Sequence, residues 1–240
     1  MLMIKKIRNI NINYIQYGRG KDIVLLHGWG QNIKMMDPIG QNLSDEFRIT
    51  ILDFPGFGSS ETPEFAYTIN DYTESLHEFL ESVKVENPIL IGHSFGGRVA
   101  INYASLYKVE KLVLFGSPFM VREKKGLKVK ILKGLKKVKF LEGIAENMKK
   151  YIGSNDYRAA NGVMREILVK VVNTDLTENV KKIKVPTLLI WGEQDEAVPV
   201  AEAKELEKNL QDGALIVLPG THYCYLENLG RVISILENFL

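Results

Sequence analysis

Pro88-Ile89-Leu90-Ile91-Gly92-His93-Ser94-Phe95-Gly96 is the most informative segment of this 240-residue chain. It joins a short apolar run, of the kind that forms a buried strand, to the spacing Gly-x-Ser-x-Gly. Glycines flank the serine because a strand-to-helix turn this tight leaves no room for side chains beside it. The serine then lies in strained backbone with its Oγ projecting above the end of the sheet. The stretch therefore predicts a sheet-based protein with Ser94 as a nucleophile.

Apolar strands alternate with helical segments along most of the chain, a pattern typical of a parallel sheet covered by helices on both faces. The predicted strands are nearly continuous apolar runs at 23–26, 49–52, 89–91, 112–115, 187–190 and 215–218. The predicted helices lie at 35–43, 69–83, 96–107, 200–210 and 230–240. Residues before about Tyr17 are predicted to form an antiparallel hairpin at one edge. The fold class is therefore α/β.

Residues 118–182 interrupt this alternation, because their pattern is helical and rich in lysine and contains no convincing strand. Apolar positions recur there at three- and four-residue steps, so one helix face is apolar and the other is cationic. We therefore predict a core formed by residues 1–117 and 183–240, with an inserted helical lid formed by residues 118–182.

The composition excludes several other classes of protein. The chain is 45% hydrophobic and 25% charged, which is ordinary for a globular protein, and its first residues lack the apolar core of a signal peptide. Cys224 is the only cysteine, so an internal disulfide and a multi-thiolate metal site are excluded. The four histidines, at 27, 77, 93 and 222, lack the spacing of a zinc site. We expect a cytoplasmic protein without a metal or another cofactor, and the oligomeric state stays open.

Charge is concentrated in one part of the predicted lid. Residues 121–150 hold ten lysines and Arg122 against three glutamates, so they carry 11 − 3 = +8 while the whole chain carries +2. The favoured interpretation is a solvated helix face. Attraction of anionic substrates and contact with a membrane surface are the alternatives. No nucleic-acid partner is expected, because the basic segment has few interleaved aromatic residues.

A nucleophilic serine needs a base within hydrogen-bond reach and an acid that orients the base. His222 follows the last apolar strand, where a loop can reach back over the sheet, whereas His93 lies beside the serine and should point elsewhere. The matching acid should follow the preceding strand, and Asp195 lies there, with Glu193 and Glu196 as weaker competitors. The predicted triad is Ser94, Asp195 and His222.

This chain order of nucleophile, acid and base resembles that of the α/β-hydrolase family. Four further segments resemble motifs of that family: the oxyanion loop His27-Gly28-Trp29-Gly30, the turn at residues 53–60, the acid loop at residues 192–195 and the base loop at residues 220–222. The resemblance covers nearly the whole chain. It implies a mostly parallel eight-stranded sheet, and an oxyanion hole formed by the backbone N–H groups of Trp29 and Phe95.

The resemblance implies a serine hydrolase acting on a small or medium carboxylic ester through an acyl-enzyme. Hydrolysis of carbon–carbon bonds in diketone-like substrates, perhydrolase activity and a ligand-binding sensor are alternative hypotheses. Trp29 and Arg98 are candidate substrate contacts. For Arg98 the reason is a resemblance, because an arginine at the equivalent place in a synthase of the family binds a substrate carboxylate. The favoured interpretation of Arg98 is nevertheless a surface arginine or one just behind the site. His27 is expected to be structural, and Cys224 to be a buried apolar residue.

Overall fold

An eight-stranded sheet forms the centre of the computed structural model, which describes residues 2–121 and 162–240. The strand order is β1-β2-β4-β3-β5-β6-β7-β8, and every neighbouring pair from β4 to β8 is parallel. The strands are β1 Met3–Ile7, β2 Ile10–Gly18, β3 Lys21–Leu26, β4 Phe47–Leu52, β5 Ile89–His93, β6 Lys111–Phe115, β7 Thr187–Gly192 and β8 Gly213–Leu218. The predicted mostly parallel, eight-stranded α/β fold is confirmed.

The hairpin predicted at the edge is formed by β1 and β2, which pair antiparallel. Its two-residue turn consists of Arg8 and Asn9, both with positive φ (47° and 66°), as the right-handed twist of a hairpin favours. β2 then pairs antiparallel with β4 and joins the hairpin to the parallel part of the sheet.

Helices cover both faces of the sheet. In the described residues they are α1 Ile33–Leu43, α2 Ile69–Ser82, α3 Phe95–Leu106, α4 Gly162–Val172, α5 Thr177–Val180, α6 Val200–Asn209, α7 Cys224–Glu227 and α8 Leu229–Phe239. Since side chains alternate along a strand, the central strands feed two cores. Leu90 and Leu112 pack into the core with α2, α3 and α6, whereas Ile91 and Val113 pack into the core with α1 and α8.

Only the two ends of the predicted lid belong to the described residues. Pro118–Val121 leave β6, and α4 and α5 lead back toward β7. The two ends meet where the Leu176 N–H donates to the Phe119 carbonyl at 2.8 Å. The lysine-rich segment 122–161, with its predicted amphipathic helices, lies outside the described residues.

Gly96 gives a direct test of how closely α3 packs against the sheet. A Cβ there would lie 2.3 Å from the Leu26 carbonyl oxygen, and backbone at that position cannot move aside easily. We expect Gly96→Ala to lower the free energy of unfolding by about 1 to 3 kcal/mol in urea titrations.

The matched control is Gly230→Ala in α8, where, apart from its chain neighbours and the backbone of its own helix, no described heavy atom lies within 4 Å of the added Cβ. It should be neutral or stabilising by up to about 1 kcal/mol, because alanine favours helix more than glycine does. Equal stability of the two variants would contradict the close packing at Gly96.

Candidate active site

Ser94 lies on the turn between β5 and α3, at the carboxyl end of the central strand. Its backbone has φ 50° and ψ −111°, which is unusual for a residue with a side chain. The Ser94 N–H donates to the Phe115 carbonyl at 2.9 Å, so the turn is fixed to β6. The residue is partly exposed while its neighbours on both sides are buried. The strained turn thus presents the hydroxyl-bearing residue to a cavity.

His222 and Asp195 form the hydrogen-bonded pair that the sequence predicts. His222 Nδ1 lies 2.8 Å from Asp195 Oδ2, and the Asp195 side chain is fully buried. The second carboxylate oxygen, Oδ1, accepts from the Val198 N–H at 2.7 Å. Both competing carboxylates, Glu193 and Glu196, are exposed. Asp195 is therefore the acid that orients His222 through Nδ1 and leaves Nε2 for another partner.

A second carboxylate supports the loop that carries His222. Glu227 accepts from the Thr221 N–H at 2.7 Å and from the Thr221 hydroxyl at 2.6 Å. The Gln194 N–H donates to the Gly220 carbonyl at 2.9 Å and so joins the acid loop to the base loop. The position of the His222 backbone is thus fixed from two sides.

The loop after β3 brings Trp29 to the same end of the sheet. The Gly28 N–H donates to Gln31 Oε1 at 3.0 Å, and the Gln31 N–H donates to the Gly28 carbonyl at 3.2 Å. The Trp29 ring packs edge-on against Phe95, with centroids 5.6 Å apart. Phe95 is the first residue of α3, where a backbone N–H has no partner inside the helix. Trp29 thus lies beside the turn that carries Ser94, and both residues line one cavity.

A cavity of about 370 Å³ lies beside Ser94, and a separate cavity of about 430 Å³ lies elsewhere on the surface. The cavity beside Ser94 is the candidate substrate site, because Ser94 and His222 both line it. Its other lining residues are Trp29, Gln31, Arg98, Pro118, Met120, Val172, Ala197, Val198 and Tyr223. Most of this lining is apolar, as in pockets that bind small organic molecules.

Arg98 is not a surface residue, because its exposure is 3%. Its guanidinium donates from Nη1 to the Pro118 carbonyl at 3.2 Å and from Nη2 to the Thr174 carbonyl. These carbonyls belong to the two ends of the predicted lid. Arg98 therefore lines the cavity and joins the chain segments that enter and leave residues 122–161.

His27 is structural, as expected. Its Nε2 accepts from the Phe54 N–H at 3.0 Å, so the ring proton is on Nδ1, 2.8 Å from the Gly28 carbonyl. Burial lowers the pKa of His27 to about 4, against smaller opposing effects of the Gly28 carbonyl and Asp53. The ring is therefore neutral and joins β3 to the segment after β4.

The low pKa of His27 predicts that the fold loses stability in mild acid. Below the unfolded-state pKa of 6.5 the unfolded chain binds a proton that the folded ring does not, so stability falls as the pH drops toward 4. For His27 alone this loss is about 2 kcal/mol between pH 8 and pH 5. Urea titrations of wild type and His27→Gln at both pH values measure it. The variant should lose less stability than wild type between pH 8 and pH 5. Equal losses of stability in the two proteins would contradict the low pKa of His27.

Cys224 is buried with 2% exposure, as expected. Burial, with the nearby Asp195 and Glu227 carboxylates, raises the pKa of its thiol to about 12. The thiolate is thus scarce at neutral pH, and Cys224 is an apolar core residue rather than a nucleophile.

Sequence reasoning missed two groups near the site, Gln31 and Glu227. Each acts through a loop contact that no periodic pattern reveals. A polar residue four positions after the oxyanion-loop histidine and a carboxylate a few residues after the base are weak signals that could have indicated them.

Known proteins with the same fold resemble this chain. A family model described as alpha/beta hydrolase fold matches residues 22–126. The chain is 25% identical to the AB hydrolase superfamily protein YisY of Bacillus subtilis, over 98% of this chain and 97% of YisY. It is 26% identical to the pimeloyl-(acyl-carrier protein) methyl ester esterase of Aeromonas hydrophila, over 96% of this chain and 100% of that enzyme.

Solved structures show the same fold. The esterase EaEST from Exiguobacterium antarcticum superposes with a TM-score of 0.80 at 21% identity, and the alignment covers 100% of this chain and 99% of EaEST. The chain has the α/β-hydrolase fold and is a hydrolase. Among the helices that the structure describes, none has the length and hydropathy needed to cross a membrane.

Proposed function

We propose that this protein is a serine esterase that cleaves a small or medium carboxylic ester through an acyl-enzyme. One observation carries the proposal: Ser94 and His222 line one cavity, and the buried Asp195 carboxylate lies 2.8 Å from His222 Nδ1. The esterase name of the Aeromonas relative also favours an ester over other substrates of the family.

In the proposed mechanism His222 Nε2 takes the Ser94 hydroxyl proton as Oγ attacks the ester carbonyl. Asp195 keeps the proton of the neutral imidazole on Nδ1 and stabilises the imidazolium that forms. The N–H groups of Trp29 and Phe95 donate to the oxyanion, and one such donor contributes about 3 kcal/mol of transition-state stabilisation. His222 then protonates the departing alcohol. In the second half of the reaction His222 takes a proton from water, which attacks the acyl-enzyme, and returns that proton to Ser94 Oγ as the acid is released.

The cavity supports a small or medium acyl group. Its volume of about 370 Å³ lies near the lower end of the range for small-molecule sites. Residues 118–182 are proposed to form a cap over it, since Pro118, Met120 and Val172 from the described ends already line it. Trp29 and Arg98 are proposed to contact the substrate, since both line the cavity.

A p-nitrophenyl ester series from acetate to laurate tests the proposal, together with labelling of the protein by a fluorophosphonate. We expect turnover with an optimum at a short or medium chain, and a phosphonyl adduct on the tryptic peptide that contains Ser94. The heat-denatured protein serves as the control and should not be labelled. Labelling without ester turnover would favour carbon–carbon hydrolysis, and neither labelling nor turnover would favour a ligand-binding sensor.

A further inference from the structure

His93 is fully buried at the end of β5, immediately before Ser94. Its Nε2 lies 3.1 Å from the backbone carbonyl oxygen of His222, and its Nδ1 lies 3.2 Å from Gln31 Oε1. One side chain of the nucleophile turn therefore contacts the base loop and the oxyanion loop at once. The two contacts join residues 129 and 62 positions apart in the chain.

Aromatic rings hold the His93 ring in place. Its centroid lies 4.7 Å from that of His222, 4.8 Å from that of Tyr225 and 5.5 Å from that of Tyr223. On the opposite side a Cβ at Gly28 would lie 2.9 Å from Nδ1, so the oxyanion loop passes close against the ring. Interiors packed this closely leave no room for the ring to turn away.

The contact with His222 fixes where the ring proton must be. Burial and the nearby His222 lower the pKa of His93 well below its ordinary value, so the ring is neutral and carries one proton. The neutral ring has one proton for two acceptors, the His222 carbonyl oxygen at 3.1 Å and Gln31 Oε1 at 3.2 Å. Gln31 Oε1 already accepts from the Gly28 N–H at 3.0 Å, whereas among the described residues His93 is the one donor found for the His222 carbonyl. The His222 contact is therefore a hydrogen bond only when the proton is on Nε2.

We propose that His93 is a positioning residue: its Nε2–H donates to the His222 carbonyl and so keeps the His222 imidazole within reach of the Ser94 hydroxyl. This inference rests on the proposed function, in which His222 is the base. Asp195 fixes the rotation of the imidazole through Nδ1, and His93 fixes the backbone from which the imidazole extends. A displacement of about 1 Å in such a group costs about 100-fold in rate, so the contact matters for turnover rather than for substrate binding.

Three substitutions separate the two contacts of the ring. The amide nitrogen of glutamine can take the place of Nε2, the shorter asparagine reaches only the place of Nδ1, and phenylalanine keeps the ring without either nitrogen. His77→Gln is the matched control, because His77 lies on α2 and stacks on Tyr107 away from the cavity. Each variant is assayed for kcat and KM with one p-nitrophenyl ester, for the rate of Ser94 phosphonylation and for Tm.

We expect His93→Phe and His93→Asn to lower kcat and the phosphonylation rate by about 10- to 100-fold with little change in KM. His93→Gln should recover most of both rates, and His77→Gln should match wild type. The inference is overturned if the asparagine and phenylalanine variants turn over like wild type, or if glutamine rescues no better than asparagine. A change in Tm alone, with unchanged kcat, also overturns it. Since Ser94→Ala is assayed beside these variants, turnover that does not depend on Ser94 identifies a failure of the proposed function instead.

Discussion

Replacing His222 by alanine is expected to lower kcat/KM for a p-nitrophenyl ester by about 10⁴- to 10⁶-fold, because loss of the base leaves only the oxyanion donors and the cavity. The protein should still fold. The His222 side chain is 15% exposed, and Asp195 keeps its hydrogen bond from the Val198 N–H when the imidazole is removed. Initial rates with a substrate of optimal chain length, together with far-UV circular dichroism, measure both parts of the prediction.

Imidazole in solution provides the control for this variant. The deleted side chain leaves space beside the cavity, so added imidazole should restore part of the activity of His222→Ala and none of that of a variant without the serine. Turnover by His222→Ala at the wild-type rate would show that His222 is not the base. His93, whose ring lies beside that of His222, would then be the alternative candidate.

Replacing Ser94 by alanine is expected to have a comparable effect on kcat/KM, about 10⁴- to 10⁶-fold, and to abolish labelling by a fluorophosphonate. The substitution removes one oxygen and leaves the strained φ of 50° in place, so stability should change little. Ester hydrolysis and intact-mass spectrometry check the result. Residual turnover equal to wild type would show that the esterase activity arises elsewhere.

Ser94→Gly separates the strain of the turn from its chemistry. Glycine populates positive φ without a steric penalty, so this variant should be as inactive as Ser94→Ala but more stable by about 1 kcal/mol in urea titrations. A Ser94→Gly protein less stable than Ser94→Ala would contradict the interpretation that the nucleophile turn is strained.

The sheet could be predicted well from the sequence because its strands are buried on both faces and form unbroken apolar runs. β5, for example, extends only two residues past the predicted 89–91. Most helix starts were predicted equally well, since α2, α3, α6 and α8 begin within one residue of the predicted positions 69, 96, 200 and 230. The first helix is the exception. The first helix begins at Ile33 rather than Met35, because Asn32 caps it by accepting from the Lys34 N–H and Asp53 accepts from the Ile33 N–H at 2.8 Å. The Asn32 cap is local, whereas the Asp53 contact comes from a segment 20 positions away along the chain.

The order of the site residues was also predictable, since each follows a recognisable strand, but their surroundings were not. The burial of Arg98 depends on Pro118 and Thr174, which lie 20 and 76 positions away along the chain. The contacts of His93 likewise join three loops that meet only because parallel strands end at one edge. Neither composition nor periodicity carries information about such encounters between loops.

The base loop is attached to β8, the last strand at the edge of the sheet, and most of that strand is only partly buried. An edge strand has one hydrogen-bonded neighbour, so it opens by local fluctuation more readily than the central strand that carries Ser94. On warming, the proposed catalytic residues should therefore separate because the loop that carries His222 opens, while Ser94 remains in the folded centre of the sheet. Heat inactivation of this enzyme would then begin as a local, reversible event that precedes the melting of the sheet.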